Sequence, residues 1–87
     1  MKLIYCPHCN DIVKLRGEAW RACYCGKSRG VYAEDDWHAT ISGAAIPLGV
    51  VNFSFYEALR HQPEAGQGER FTAFVIPKIC PTIDVLP

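Results

Sequence analysis

The sequence predicts a small, β-rich α+β domain. Three observations carry that expectation. Short runs of β-branched and aromatic residues are cut up by Gly, Pro and Asp. One helix-start signal stands at Ser54-Phe55-Tyr56-Glu57, and two tight cysteine pairs come early, Cys6 with Cys9 and Cys23 with Cys25. With 87 residues, the chain is expected to make a single domain over 1–87 that buries a modest fraction of its surface, so a metal or disulfide staple is expected. Its apolar share of 49% and charged share of 21% are those of a folded chain. No apolar run approaches the roughly 18 residues of a membrane-spanning helix. The opening Met1-Lys2-Leu3-Ile4-Tyr5-Cys6 lacks the apolar stretch and cleavage site of a signal peptide. A cytoplasmic, reducing setting without membrane contact is the expectation, and there clustered cysteines serve metals more often than disulfides.

Taken in order, Lys2–Tyr5 reads as a strand leading into the first cysteine pair, and the loosely alternating Ile12–Arg16 as a second. Gly17-Glu18 marks a turn, and Ala19–Ala22 returns toward the second pair. Gly26 to Gly30 is turn-rich, and Val31–Ala33 supplies a third strand. Glu34-Asp35-Asp36 interrupts the pattern without a linker, so 34–87 is expected to pack on 1–33 as a β-rich extension. Trp37–Ser42 reads as another strand. Gly43 to Gly49, which holds Pro47, reads as an apolar loop, with Val50-Val51 either strand or buried loop. Ser54 is expected to cap a short helix near 55–61, with Glu57 closing the capping box and Pro63 ending it. Gln62–Gly68 suits a polar loop, and Phe71–Ile76 gives the strongest strand signal. The tail, with Pro77, Pro81 and Pro87, is expected to run extended along the surface.

The chemistry-bearing residues are the cysteines. Cys6-Pro7-His8-Cys9 and Cys23-Tyr24-Cys25-Gly26 are separated by thirteen residues. A Cys-x-x-Cys corner lets two sulfurs chelate one ion, and two corners complete a closed tetrahedral four-sulfur site. Pro7 rigidifies the first corner, and Gly26 offers the left-handed backbone that follows the second. The second pair is Cys-x-Cys, one residue short of the usual corner, which leaves open whether His8 or His38 replaces one sulfur. Residues 1–33 resemble the zinc-ribbon, rubredoxin-like class of metal-binding modules. The resemblance implies one structural Zn²⁺ on Cys6, Cys9, Cys23 and Cys25, with no open coordination position. Ribbons of this class occur in transcription factors, ribosomal proteins, polymerase subunits and phage accessory proteins, so the resemblance implies metal more than function. Cys-Pro-His-Cys also resembles the active site of oxidising thioredoxin-fold proteins, whose first cysteine sits at a helix N-terminus. Iron in the four-sulfur site, or four unliganded thiols, are the remaining readings.

The chain's formal net charge is zero, yet residues 1–30 carry Lys2, Lys14, Arg16, Arg21, Lys27 and Arg29 against Asp11 and Glu18. The acids of 31–87 balance that excess. Four thiolates on one divalent ion add about two negative charges, which leaves the N-terminal third only mildly positive. Arg16, Arg21, Lys27 and Arg29, with Lys14, Trp20, Tyr24 and Tyr32, are the candidate nucleic-acid contacts, through phosphates and base stacking. The plainer alternative is a solvated hairpin with Trp20 as a core anchor. Gly43–Ser54 and the helix start, with Arg60 or Arg70, form a candidate anion cradle. The plainer alternative there is a buried turn that packs Ile46, Leu48 and Val50. Cys80 reads as a core-edge thiol, Asp35 and Asp36 as diverging carboxylates, and His8 as solvent-facing.

Together these point to a non-enzymatic binding or adaptor protein with a structural zinc, whose partner is protein, nucleic acid or a small anionic ligand. Two rivals stand beside it. One is a thiol–disulfide redox protein using Cys6 and Cys9. The other is a small phage or mobile-element accessory protein that sequesters a nucleotide or blocks a host factor. An exposed Phe71–Ile76 edge is the candidate seam for a homodimer.

Overall fold

Eight short strands in two sheets and one helix make up the computed structural model, which describes residues 1–87. Strands β1 (Lys2–Tyr5), β2 (Ile12–Lys14), β6 (Ile46–Val50) and β7 (Ala73–Val75) form an antiparallel sheet in the order β2-β1-β6-β7. Strands β3 (Arg21–Ala22), β4 (Ser28–Tyr32), β5 (Ala39–Gly43) and β8 (Ile83–Leu86) form the other, in the order β3-β4-β5-β8. The class is the small, β-rich α+β fold that the residue pattern predicts.

The core is thin. Nine apolar residues are buried: Ile4, Val13 and Leu15 from the first sheet region, Ala39, Ile41 and Ile83 from the second, with Cys6, Cys23 and Ile76. Gly30 in β4 lets the sheets approach, because a Cβ there would meet Leu15 Cδ2 at 2.8 Å. Period-two alternation explains the register: Ile4 pairs with Val13 across β1 and β2, and both face inward while Leu3 and Lys14 face away.

Several expectations change in detail, each for a physical reason. Ile46–Gly49, expected as loop, forms with Val50 a central strand, paired with β1 on one side and β7 on the other. Pro47 argues against a central strand because it lacks an N–H; here its carbonyl still accepts from Ile76 N at 2.9 Å. The turn expected over Gly26–Gly30 is shorter, since β4 begins at Ser28. The helix α1 (Asn52–Arg60) starts two residues before Ser54, with Val51 as its N-cap. Ser54 is inside the helix: its hydroxyl donates to Val51 O at 2.7 Å and accepts from Thr72 N at 2.9 Å. A tertiary bond to the segment before β7 therefore takes the hydroxyl that a cap would use. The tail is more than a surface strand. β8 lies parallel to β5, with Ala39 opposite Ile83, and Ile83 enters the core. Of Phe71–Ile76, only Ala73–Val75 is paired, at the sheet edge.

Candidate metal centre

Each cysteine pair sits at the tip of its own hairpin, and the two hairpins belong to different sheets. β1 turns through Cys6–Cys9 into β2, and β3 turns through Cys23–Cys25 into β4. A single hairpin between the pairs, as the sequence order suggested, is replaced by two opposed turns. The first turn closes by Asn10 N donating to Cys6 O at 2.7 Å and Cys6 N donating to Asp11 O at 3.0 Å. Asn10 takes a left-handed φ of 62°, and Gly26 takes one of 80° in the second turn. Asn is among the non-glycine residues that tolerate this region best, and its place directly after Cys9 was the readable signal for it. The second turn closes with Gly26 N on Cys23 O at 3.1 Å and Cys23 N on Ser28 O at 2.9 Å. Asp11 joins the turns: its carboxylate accepts from Tyr24 N at 2.9 Å.

The sulfurs of Cys6, Cys9, Cys23 and Cys25 all lie within 4.8 Å of one another. Cys25 Sγ is 3.7 Å from Cys6 Sγ and 3.6 Å from Cys23 Sγ. Ligand sulfurs about 2.3 Å from a tetrahedral zinc stand about 3.8 Å apart, whereas a disulfide requires about 2.05 Å. The four are free thiols placed to hold a metal ion. His8 is exposed and His38 is bonded to Asp35, and the cluster consists of sulfurs alone. Cys6 and Cys23 are buried, Cys9 is half-buried and Cys25 is exposed.

The surroundings act unequally on the thiols, favouring thiolate at Cys6 and Cys23 and opposing it at Cys25. The Ser28 side chain is the main influence that brings Cys6 down to about 6, against desolvation and with help from the Cys9 and His8 amides. That hydroxyl is completely buried and makes no hydrogen bond of ordinary geometry. Burial opposes ionising Cys23, but the Ser28 amide, 3.4 Å from its sulfur, helps to hold it below the ordinary thiol value. At Cys25 the Lys27 amide favours the thiolate, yet desolvation and the three neighbouring sulfurs push it up to about 11. One sulfur ionises readily and another resists. Four negative sulfurs at this spacing require a cation among them.

The other candidate residues are not gathered in one place. Arg29 stacks over Trp20 at 5.4 Å on the second sheet, and Trp20 is 43% exposed rather than a core anchor. Tyr24 and Lys27 lie exposed on the second turn, while Arg21 pairs opposite Gly30. Arg16 lines a cleft near the N-terminus. Arg60 is bonded to Glu57 at 2.6 Å, and Arg70 is exposed in the loop before β7. The glycines of Gly43–Gly49 admit protein, not ligand: a Cβ at Gly43 would meet Lys27 O at 2.0 Å, and one at Gly49 the Phe74 ring at 2.4 Å. Asp35 accepts from His38 and from the Trp37 and His38 amides, while Asp36 turns toward Gly17. Cys80 packs at the core edge, 3.3 Å from Thr82 Oγ1 and outside the four-sulfur cluster. Sequence reasoning missed Asn10, Asp11 and Ser28. No helix is long and apolar enough to cross a membrane. Comparison with protein-family models, curated proteins and solved structures finds no match to this chain.

Proposed function

We propose that the chain is a non-enzymatic binding module whose two sheets are pinned by one structural zinc ion on Cys6, Cys9, Cys23 and Cys25. The observation that carries this reading is four sulfurs within 4.8 Å of one another, drawn from two hairpin turns, with Cys25 Sγ 3.7 Å from Cys6 Sγ and 3.6 Å from Cys23 Sγ and the Ser28 amide on Cys23. Four thiolates fill the coordination sphere, so the ion has no open position for substrate, as in structural rather than catalytic sites. The irregular Cys-x-Cys corner favours zinc over iron, because a d¹⁰ ion imposes no geometric preference of its own. Thin burial supplies the reason for a staple: only 12 of 87 residues are buried, and two of those are cysteine ligands.

Thiol–disulfide chemistry gains no support from this arrangement. Cys6 has no accessible surface, whereas an attacking thiolate must be reached. The chain after Cys6 turns into β2, so the helix N-terminus that such sites use is missing. Native mass spectrometry of the chain as purified, without added reductant, tests the proposal. One zinc per chain is expected; bound iron, or a mass two hydrogens light from a Cys6–Cys9 disulfide, refutes it.

A further inference from the structure

A cleft of about 390 Å³ opens at the end of β1 opposite the cysteines, between β2, the Asp35–Trp37 turn and the first turns of α1. Lys2, Lys14 and Arg16 line it, with Tyr32, Trp37 and Tyr56. None of its three basic side chains has an acidic partner: the chain's ion pairs join Asp35 to His38 and Glu57 to Arg60 and His61. Lys2 Nζ instead donates to the Trp37 carbonyl and stands 4.7 Å from the Trp37 ring centroid and 5.9 Å from that of Tyr32. The crowding is felt nearby, where burial and then the charges of Lys2 and Lys14 hold the Met1 ammonium below its ordinary value. Glu18 and Asp36 are the acids on the wall, and neither is within ion-pair distance of these cations.

Cations without an acidic partner in a concavity draw an anion, and the field is focused by the protein walls. Trp37 is 62% exposed and Tyr56 50% exposed beside them, leaving aromatic faces on which a planar ring can stack. The carboxylates of Glu18 and Asp36 can accept hydrogen bonds only from a donor such as a sugar hydroxyl. The volume is that of a small-molecule site. Phosphate, sugar and planar ring are the three parts of one ligand class. We propose that this cleft binds a nucleoside phosphate, the phosphate among Lys2, Lys14 and Arg16 and the base against Trp37 and Tyr56. The same chemistry is offered by a free nucleotide and by one nucleotide of a single strand. The proposal uses none of the four cysteines, and its test is made on the folded chain as purified.

The test titrates the full-length chain as purified, at low salt, with adenosine 5′-monophosphate, inorganic phosphate and a short single-stranded oligonucleotide, followed by ¹H–¹⁵N NMR. The expected result is nucleotide binding that shifts the Trp37 indole and the Lys14 and Arg16 amides. Arg16→Glu and Lys14→Glu, both at exposed positions, should weaken it at least about tenfold, the change expected from losing roughly 1.4 kcal/mol. Trp37→Leu should weaken the nucleotide but not inorganic phosphate, and Arg29→Glu, on the other sheet, should change nothing. Should a charge reversal disturb the spectrum of the free chain, Arg16→Gln replaces it. Tighter binding of the oligonucleotide assigns the site to a single strand; equal or weaker binding assigns it to the free nucleotide. No shift at Trp37 at about 1 mM nucleotide, where binding would be worth about 4 kcal/mol, overturns the proposal. So does nucleotide binding no tighter than phosphate, or an equal loss in Arg29→Glu.

Discussion

Stripping the metal from the four-cysteine site should unfold the chain. Net stability for a chain of this length is roughly 4–13 kcal/mol, at about 0.05–0.15 kcal/mol per residue. A structural zinc contributes about 10–16 kcal/mol to the fold it closes, so the ion is worth about as much as the whole margin. The thin core is the reason for expecting such dependence. Without Cys6 and Cys23, the buried apolar set is Ile4, Val13, Leu15, Ala39, Ile41, Ile76 and Ile83, spread over two sheets of short strands. The sulfurs also sit where the two sheets' hairpin tips meet, so without an ion nothing ties one tip to the other but the Asp11 bond to the Tyr24 amide. The assay is thermal melting and ¹H–¹⁵N NMR of the reduced chain, before and after a tight zinc chelator, with zinc returned as the control. Loss of the cooperative melt and of amide dispersion is expected, with recovery on adding zinc. Cys6→Ser, which puts a hydroxyl at a site with no exposure, should behave like the stripped chain. Cys25→Ser, at the exposed ligand, should still fold in excess zinc. A metal-free, reduced chain that melts cooperatively with a dispersed spectrum refutes the reasoning.

Other outcomes follow from single contacts. Gly43→Ala forces a φ of 74° on a residue with a Cβ and drives that carbon to 2.0 Å from the Lys27 carbonyl; a loss of about 2–5 kcal/mol is expected by denaturant melting. Gly49→Ala should cost less, about 1 kcal/mol, because its obstacle is the half-exposed Phe74 ring on an edge strand, which can swing away. An equal cost for the two would refute that contrast. Asp11→Ala removes the acceptor for the Tyr24 amide and should lower stability by about 1–2 kcal/mol. Zinc should then exchange faster in a competition assay, while Asp11→Asn keeps most of both properties. The His38 side chain, with the Trp37 and His38 amides, holds the Asp35 carboxyl at about 2. Its folded value lies below the ordinary value of about 3.9. Its contribution is therefore complete above about pH 4 and is withdrawn as the pH falls through about 2. The Asp35 carboxyl ¹³C resonance should stay still from pH 7 to about 4, and a midpoint at or above 4 refutes the bond's role.

The fold class and the four candidate ligands could be read from residue types and spacing, because alternation and chelate geometry are local properties. Strand β1 and the helix end before Pro63 were equally legible. What escaped was set by partners distant in sequence. Ile46–Val50 carries Pro47 and Gly49, and only pairing with β1 and β7 makes it a strand. Ser54 carries a capping signature, but a backbone N–H eighteen residues on claims its hydroxyl. Ile83 lies among prolines, and β5 draws it into a parallel pair. At the metal centre, Asp11 and Ser28 act across the gap between turns, where spacing has nothing to say. Lys2 and Trp37 meet at the cleft for the same reason, thirty-five residues apart.

The uneven shielding of the four sulfurs gives the metal centre an inside and an outside. Cys6 and Cys23 are sealed, and Cys25 faces solvent. With zinc bound, an oxidant, alkylating reagent or competing chelator meets Cys25 first, with half-buried Cys9 behind it, and the inner pair stays protected until an outer bond is broken. Breakdown would then proceed in a fixed sequence, with the ion leaving through the Cys25 side and the seam between the sheets parting last.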